Sequence, residues 1–196
     1  MSDTAKKPLG RPRSAQSHQA ILQATLELMA EVGFERMSID AIATRAGVGK
    51  PTIYRRYKSK EELVANAIES VREEIVIPDT GSLWGDIEAI IQNAAQITLT
   101  PLGRQTVAMI ISSATSNSQF AQVYWTQYLQ PRRQAFAIVL ERATARNEIQ
   151  VEVSSDLVFD IISGVMLYAL IFQPTTDPWE VYVSRALSLV LKNAMV

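Results

Sequence analysis

The chain has 196 residues, of which 47% are hydrophobic and 20% are charged, and its net charge is −1. This ordinary globular composition excludes wholesale disorder, collagen and a long coiled coil, and the length is sufficient for a substantial core. The sequence contains no Cys and a single His, at position 18. Disulfides, thiolate zinc sites and cysteine nucleophiles are therefore excluded, and we expect neither a metal nor a cofactor.

The charge is unevenly distributed along the chain. Residues 1–60 carry 11 Lys and Arg against 5 Asp and Glu, whereas residues 61–196 carry 8 against 15. A basic end on an acidic body indicates contact with a polyanion, although a solvated charged surface would show the same imbalance.

Neither a secretory signal nor a membrane span is expected from the sequence. The N-terminus is polar and basic and lacks an apolar core, unlike a secretory signal. The most apolar run, residues 157–172, is interrupted by Asp160 and is shorter than the ~20 residues of a membrane helix. We therefore expect a soluble, cytoplasmic protein.

The first predicted elements are a basic arm and a helix. Residues 1–13 combine Lys and Arg with Pro and Gly in a pattern too broken for a helix, which predicts a flexible arm. From Ser14 onward, apolar residues recur on one helical face, and Gly33 is predicted to end this first helix.

Two short helices are predicted next. Ser38 stands at the N-cap position of the second helix. Gly47 lies in the break that follows, because glycine tolerates the positive φ that a tight turn between helices commonly requires. Pro51 falls in the first turn of the third helix, where its missing N–H costs nothing, and this helix is predicted to end near Tyr57.

The remainder of the chain is also predicted to be helical. Ser59 and Glu62 form a capping box at the start of a fourth helix over residues 59–77. Pro131 should kink or split one of the later helices. Glu148–Val153 alternates like a strand, but one such segment does not make a sheet, so the predicted class is all-α. The later candidate helices cover residues 82–99, 101–115, 118–146, 155–172 and 178–194.

The segment SIDAIATRAGVGKPTIYRRY, residues 38–57, has the pattern of a helix-turn-helix. The residues that should pack its two helices together are Ile42, Ala43, Val48 and Ile53. The opposite face carries hydrogen-bond donors and aromatic rings: Lys50, Thr52, Tyr54, Arg55 and Arg56, followed by Tyr57 and Lys58. Such a face suits the major groove of DNA, although a structural helical hairpin with a basic surface has the same spacing.

Residues 14–70 resemble the DNA-binding domain of the TetR/AcrR family of bacterial transcriptional regulators, most specifically over residues 48–54 and 57–63. The resemblance implies an N-terminal three-helix DNA-binding domain with a helix-turn-helix, and a larger C-terminal helical domain for ligand binding and dimerisation. We expect these domains at residues 14–60 and 61–196, with the fourth helix linking them.

The resemblance also implies roles for individual residues. Ser38 would cap the second helix and contact a phosphate, and Lys60 would bind another phosphate at the start of the fourth helix. Arg55 and Arg56 are the candidates for sequence selection. The arm, with Arg11 and Arg13, would enter a neighbouring minor groove as in other arm-bearing DNA readers, and a disordered arm is the alternative. The complete expected DNA-binding set is Ser38, Arg45, Gly49, Lys50, Pro51, Thr52, Tyr54, Arg55, Arg56, Tyr57, Lys58 and Lys60.

The family's C-terminal domain implies an inducer pocket and a dimer interface. Of the 14 aromatic residues, 11 lie beyond residue 77, which is compatible with a plain core as well as with a pocket. No buried charge constellation is evident, so a mostly neutral, apolar ligand is expected. The pocket candidates are Trp84, Gln92, Gln96, Met109, Ser113, Tyr124, Trp125, Tyr128, Phe159 and Tyr168. The interface candidates, on the last two helices, are Gly164, Leu167, Tyr182, Leu187 and Val190.

The expected function is that of a homodimeric repressor that a small ligand releases from a palindromic operator through movement of the fourth helix. An activator and a regulator without a ligand remain alternatives. A non-specific architectural DNA binder is disfavoured by the acidic body. An enzyme is disfavoured because His18 adjoins the basic arm and the sequence has no Gly-rich phosphate loop, HExxH motif or metal-spaced carboxylate set.

Overall fold

The computed structural model describes residues 11–71, 77–149 and 154–191. Within these ranges the elements are helices, and no strand is present, which confirms the all-α class. Parts of four predictions lie outside the described residues: most of the N-terminal arm, the last turns of the fourth helix, the end of the alternating segment after Ile149, and residues 192–194 of the last helix.

The chain divides into two compact units. The N-terminal unit comprises residues 1–71 together with 109–123, and the C-terminal unit comprises 72–108 together with 124–196. The predicted domain boundary after residue 60 stays a prediction.

Four helices open the N-terminal unit. The first begins at Arg11, three residues before the expected start, and its backbone leaves the helical region at Gly33 (φ 78°), where the sequence predicted a break. It packs against both the second and the fourth helix. The four helices are α1 (Arg11–Arg36), α2 (Ile39–Ala46), α3 (Lys50–Tyr54) and α4 (Lys60–Glu69).

The later helices follow the predicted order. Ser82 and Ser154 cap two of them, each accepting a hydrogen bond from a backbone N–H in the first turn. These elements are α5 (Leu83–Thr98), α6 (Pro101–Ser116), α7 (Ser118–Tyr124), α8 (Gln130–Ala145), α9 (Ser155–Phe172) and α10 (Trp179–Leu191).

Pro131 splits the predicted helix over residues 118–146. A π-helical turn at Trp125–Leu129 separates α7 from α8, and the Gln130 N–H donates to the carbonyl of Trp125. Proline lacks an N–H, and its ring clashes with the carbonyl four residues earlier in a regular helix. The wider turn immediately before Pro131 accommodates both effects.

The core of the C-terminal unit lies among α5, α8, α9 and α10. Contacts join α5 to α8 and α10, and α9 to α8 and α10. The cluster is apolar and tightly buried, and its most enclosed members are Leu83, Ile87, Ile91, Val139, Ala143, Val183 and Leu187.

A buried carboxylate at the start of α5 contradicts the expectation of no buried charge constellation. Asp86 is fully buried, and its Oδ1 accepts hydrogen bonds from the N–H and hydroxyl of Thr80 at 2.6 and 2.7 Å. Its Oδ2 lies 3.7 Å from Nη2 of Arg146. Arg146 in turn donates to Glu148, which also accepts from the backbone N–H of Leu83. The sequence could not show this cluster because it joins residues 80–86 to residues 146–148, about 60 positions away.

We expect Glu148→Gln to lower the free energy of unfolding by ~2 kcal/mol near neutral pH, because it removes charge-assisted hydrogen bonds. The hydrogen bond from Arg146 lowers the pKa of Glu148 below its ordinary value of 4.5. The ionised carboxylate therefore stabilises the folded state above that value, and this contribution is lost as the pH falls through the lower folded-state pKa.

Denaturant titrations at several pH values between 7 and 3 test this expectation. The difference between the wild-type protein and Glu148→Gln should shrink with falling pH, while Glu141→Gln, an exposed change on α8, should have little effect throughout. A difference that stays constant with pH would contradict the assigned role of the Arg146–Glu148 pair.

One helix in the described part of the chain is long and apolar enough to span a membrane. This is α9, with 18 residues, of which 22% are buried. The expectation that this run was too short to qualify is therefore corrected. Here α9 contributes Val158 and Ile162 to the C-terminal core, so part of its apolar surface has a partner within the unit.

Candidate nucleic-acid interface

The predicted helix-turn-helix is present as α2 and α3. Ser38 Oγ accepts a hydrogen bond from the Ala41 N–H at 3.2 Å and thereby caps α2. Gly47 ends α2 in the left-handed region, with φ 65°, as the turn requires. Ile42 and Ile53 are fully buried, so their packing fixes α3 against α2.

The third helix is shorter than predicted. It ends at Tyr54, and the Arg56 N–H then bonds to the carbonyl of Ile53, only three residues earlier. This tighter turn carries the chain to Ser59, whose Oγ caps α4 by accepting from the Glu62 N–H. The Glu62 carboxylate accepts from the backbone N–H of Lys58. In a capping box it would accept from the N–H of the N-cap residue, Ser59, one position later.

The structure exposes most of the predicted DNA-binding residues. Tyr54 is 56% exposed, which is unusual for a large aromatic side chain. Thr52, Arg56 and Lys60 are half-buried, and Tyr57 is buried. The exposed members are Ser38, Arg45, Gly49, Lys50, Pro51, Tyr54, Arg55 and Lys58.

Lys60 makes contacts within the N-terminal unit. Its ammonium donates to the backbone carbonyls of Phe34 and Met37, at 3.0 and 3.4 Å, and lies 4.3 Å from the centroid of the Phe34 ring. These contacts hold the start of α4 against the α1–α2 corner. Phosphate binding by Lys60 stays a prediction, and the structure adds a second role for this residue in packing α4 against α1.

Tyr57 is only 4% exposed, and its hydroxyl lies 2.8 Å from Nε2 of His18. Burial raises the pKa of Tyr57. The contact ties α1 to the end of the helix-turn-helix. It also places the single histidine in a half-buried structural position.

Arg45 is engaged by the acidic side of α1. Its guanidinium donates to both oxygens of Glu31, at 2.6 and 2.7 Å, and lies 3.9 Å from Glu27. The hydrogen bond from Arg45 lowers the pKa of Glu31. Sequence inspection did not pair these residues, because the contact depends on how α2 crosses α1.

Lys50 also has an acidic partner, Asp40, with which it forms an ion pair. Asp40 lies in the first turn of α2 and Lys50 is the first residue of α3, so the pair bridges the two helices. The sequence did not single out Asp40, because only the crossing of α2 and α3 brings it beside Lys50.

The predicted pocket residues lie in both units. Met109 and Ser113 belong to the N-terminal unit, in which Ser113 is buried and its hydroxyl donates to the carbonyl of Met109. In the C-terminal unit Tyr124 is buried, Phe159 contacts Phe136, and Tyr168 is half exposed. Three further candidates are exposed, namely Gln92, Gln96 and Trp125.

Two cavities of the C-terminal unit can be described. One, of about 610 Å³, lies by the α9–α10 connection and is lined by Arg104, Gln173, Trp179 and Tyr182 among others. The other, of about 500 Å³, lies between α5 and α10 and includes Gln92. Of the predicted pocket residues, Gln92 is the one that lines either of these two cavities. A single ligand pocket formed by the predicted residues stays a prediction.

The predicted interface residues have different environments. Gly164 and Leu167 are exposed on α9, and Tyr182 is half-buried. Leu187 is fully buried beside Val183 in the core of its own unit, so its assignment to the interface was wrong. Its spacing of four residues from Val183 places it on the inner face of α10. The side chain of Val190 lies outside the described residues.

An apolar face is nevertheless exposed on α9 in this single chain. Four of its large residues lie about one turn apart near the end of α9, and Leu157 lies ten residues before the first of them. Phe172 is 66% exposed and Leu157 is 59% exposed. The other large members are Leu167, Tyr168 and Ile171.

Two family matches cover most of the chain. Residues 21–67 match the family described as "Bacterial regulatory proteins, tetR family", and residues 77–190 match "Tetracyclin repressor-like, C-terminal domain". The chain belongs to the TetR family of DNA-binding transcriptional regulators.

Individual relatives agree with this assignment. The chain is 31% identical over 163 residues to the uncharacterized HTH-type transcriptional regulator YdeS of Bacillus subtilis, covering 83% of this chain and 82% of YdeS. It is 27% identical over 193 residues to the DNA-binding transcriptional repressor TetR of Mycobacteroides abscessus, covering 93% of each chain. The solved structure of the flavonoid-responsive regulator FrrA superposes with a TM-score of 0.71 at 22% identity, over 92% of this chain and 98% of FrrA.

Proposed function

We propose that this chain is a cytoplasmic, homodimeric repressor that binds a palindromic operator and is released from it by a small, mostly apolar ligand. The observation that carries the proposal is the exposed face of the helix-turn-helix, where Tyr54 at the end of α3 and Arg55 just after it are exposed, while Ile53 between α3 and α2 is buried. The relative from Mycobacteroides abscessus, described as a repressor, supports the direction of control.

Sequence selection is assigned to α3 and affinity to the cations around it. Arg55 is exposed just after α3 and has the donor geometry that binds guanine O6 and N7. Lys58 is exposed in the turn before α4, where its ammonium would contact a phosphate in any sequence.

Dimerisation is supported by the apolar face of α9. Large apolar side chains exposed on one helix indicate a binding site for another surface. We assign this site to α9 of a second copy of the chain, related to the first by two-fold symmetry. Such a dimer matches the symmetry of a palindromic operator whose half-sites lie about one turn or more apart.

Ligand control is supported by the cavities of the C-terminal unit and by FrrA, whose description names a flavonoid response. The ligand would act by favouring the conformation that binds the operator less tightly, with a coupling of ~1–3 kcal/mol. No observation favours an activator or a ligand-independent regulator over this proposal.

In vitro selection of DNA fragments at about physiological salt tests the proposed function. We expect the wild-type protein to enrich a palindrome, and Arg55→Ala to relax the preference at one position by ~1–3 kcal/mol. Lys58→Ala should weaken binding to every sequence and reduce the salt dependence by about one phosphate contact per protomer.

Arg185→Ala provides a matched control, because it removes an exposed cation from the C-terminal unit. Its DNA preference and affinity should equal those of the wild-type protein. Failure of the wild-type protein to enrich any sequence, with salt-dependent binding to all of them, would contradict sequence-specific regulation and favour the architectural alternative.

A further inference from the structure

The ion pair between Asp40 and Lys50 lies on the surface proposed to meet DNA. Asp40 follows the N-cap Ser38 by two residues, and Lys50 immediately precedes Pro51, another exposed member of the proposed site. The side chains of Asp40 and Lys50 are 65% and 52% exposed, so both have access to an incoming base edge.

The pair is not needed to hold the two helices together. Exposed ion pairs contribute little to stability, because water screens them and both side chains lose conformational freedom. The crossing of α2 and α3 depends on the buried side chains of Ile42, Ala43 and Ile53 and on the turn at Gly47. A helix-start carboxylate favours α2 through the helix dipole, but this role does not require a lysine partner.

A carboxylate on a DNA-facing surface cannot bind phosphate, which repels it. In the major groove its partners are base amino groups, and Asp commonly accepts from N4 of cytosine. An ammonium donates to O6 and N7 of guanine. In a G·C pair these amino and carbonyl groups lie side by side, so a neighbouring acceptor and donor complement the edge of a single base pair.

We propose that Asp40 and Lys50 together recognise one G·C base pair in each half-site, with Asp40 accepting from cytosine and Lys50 donating to guanine. This inference rests on the proposed function. Because the pair is neutral, it adds discrimination between bases without adding to the salt-dependent attraction of the backbone.

Selection from a library of random sequences tests the pair with the full chain and the variants Asp40→Ala, Asp40→Asn and Lys50→Ala. We expect Asp40→Ala and Lys50→Ala to relax the same position of the half-site, each reducing its G·C preference by about 5- to 150-fold. Asp40→Asn should shift that position toward A·T, because an amide binds N6 and N7 of adenine in a bidentate manner.

Glu35→Ala is the matched control, because it removes an exposed carboxylate from α1, in the same unit, at a residue outside the proposed DNA-binding set. We expect it to leave the base preference at every position unchanged. Thermal unfolding followed by circular dichroism confirms that the Asp40 and Lys50 variants are folded at the selection temperature.

Two results would overturn the inference. Asp40 variants could retain the wild-type preference at every position, or could raise the affinity for all sequences equally, as a purely repulsive carboxylate would. Both differ from failure of the proposed function, in which the unaltered protein itself enriches no sequence.

Discussion

Gly164→Arg is expected to convert the proposed dimer into a monomer and to reduce operator affinity by about 10²- to 10⁴-fold, the loss expected when two half-sites are no longer bound by one linked molecule. A Cβ at Gly164 would meet no atom within 4 Å, so the single chain accommodates the substitution. In the dimer, the guanidinium would be buried in an apolar interface without a partner, which is strongly unfavourable.

Sedimentation equilibrium at micromolar concentration, together with operator titrations, measures both effects. Gln134→Arg adds the same charge at an exposed position of α8 and should leave the mass and the operator affinity unchanged. A Gly164→Arg protein that remains dimeric would show that α9 is not the interface. A wild-type protein that is monomeric at these concentrations would exclude the dimer altogether.

Ile53→Ala is expected to destabilise the N-terminal unit by ~2–5 kcal/mol, because it leaves a cavity where a fully buried side chain joins α3 to α2. Operator binding should fall as well, since α3 would lose its fixed position on α2. The two effects together would link the buried core of the helix-turn-helix to the function of its exposed face.

Urea titration and operator binding below the unfolding transition separate these effects. Ile53→Val removes a single methylene and should cost only ~0.5–1.5 kcal/mol, with operator binding close to that of the wild-type protein. If Ile53→Ala had the stability of the wild-type protein, the packing assigned to this residue would be incorrect.

The sequence identified the helices and their caps because these features depend on neighbouring residues. Ser38, Gly47 and Ser59 occupy their predicted positions, since capping and positive φ are local requirements. The break before α8 was equally predictable, because Pro131 removes a hydrogen-bond donor wherever the helix is placed.

The sequence by itself therefore determined the helical class, the helix-turn-helix and most of the residues on its exposed face, although Tyr57 is buried. Tertiary structure alone decided which of these cations have partners: Arg45 pairs with Glu31, Lys50 with Asp40, and the ammonium of Lys60 contacts backbone carbonyls. It likewise turned Leu187 inward. These contacts join residues that are distant in the sequence, and they depend on how the helices cross. The helical period of a sequence shows which face of a helix is apolar, but it does not show which residues of another helix will contact that helix.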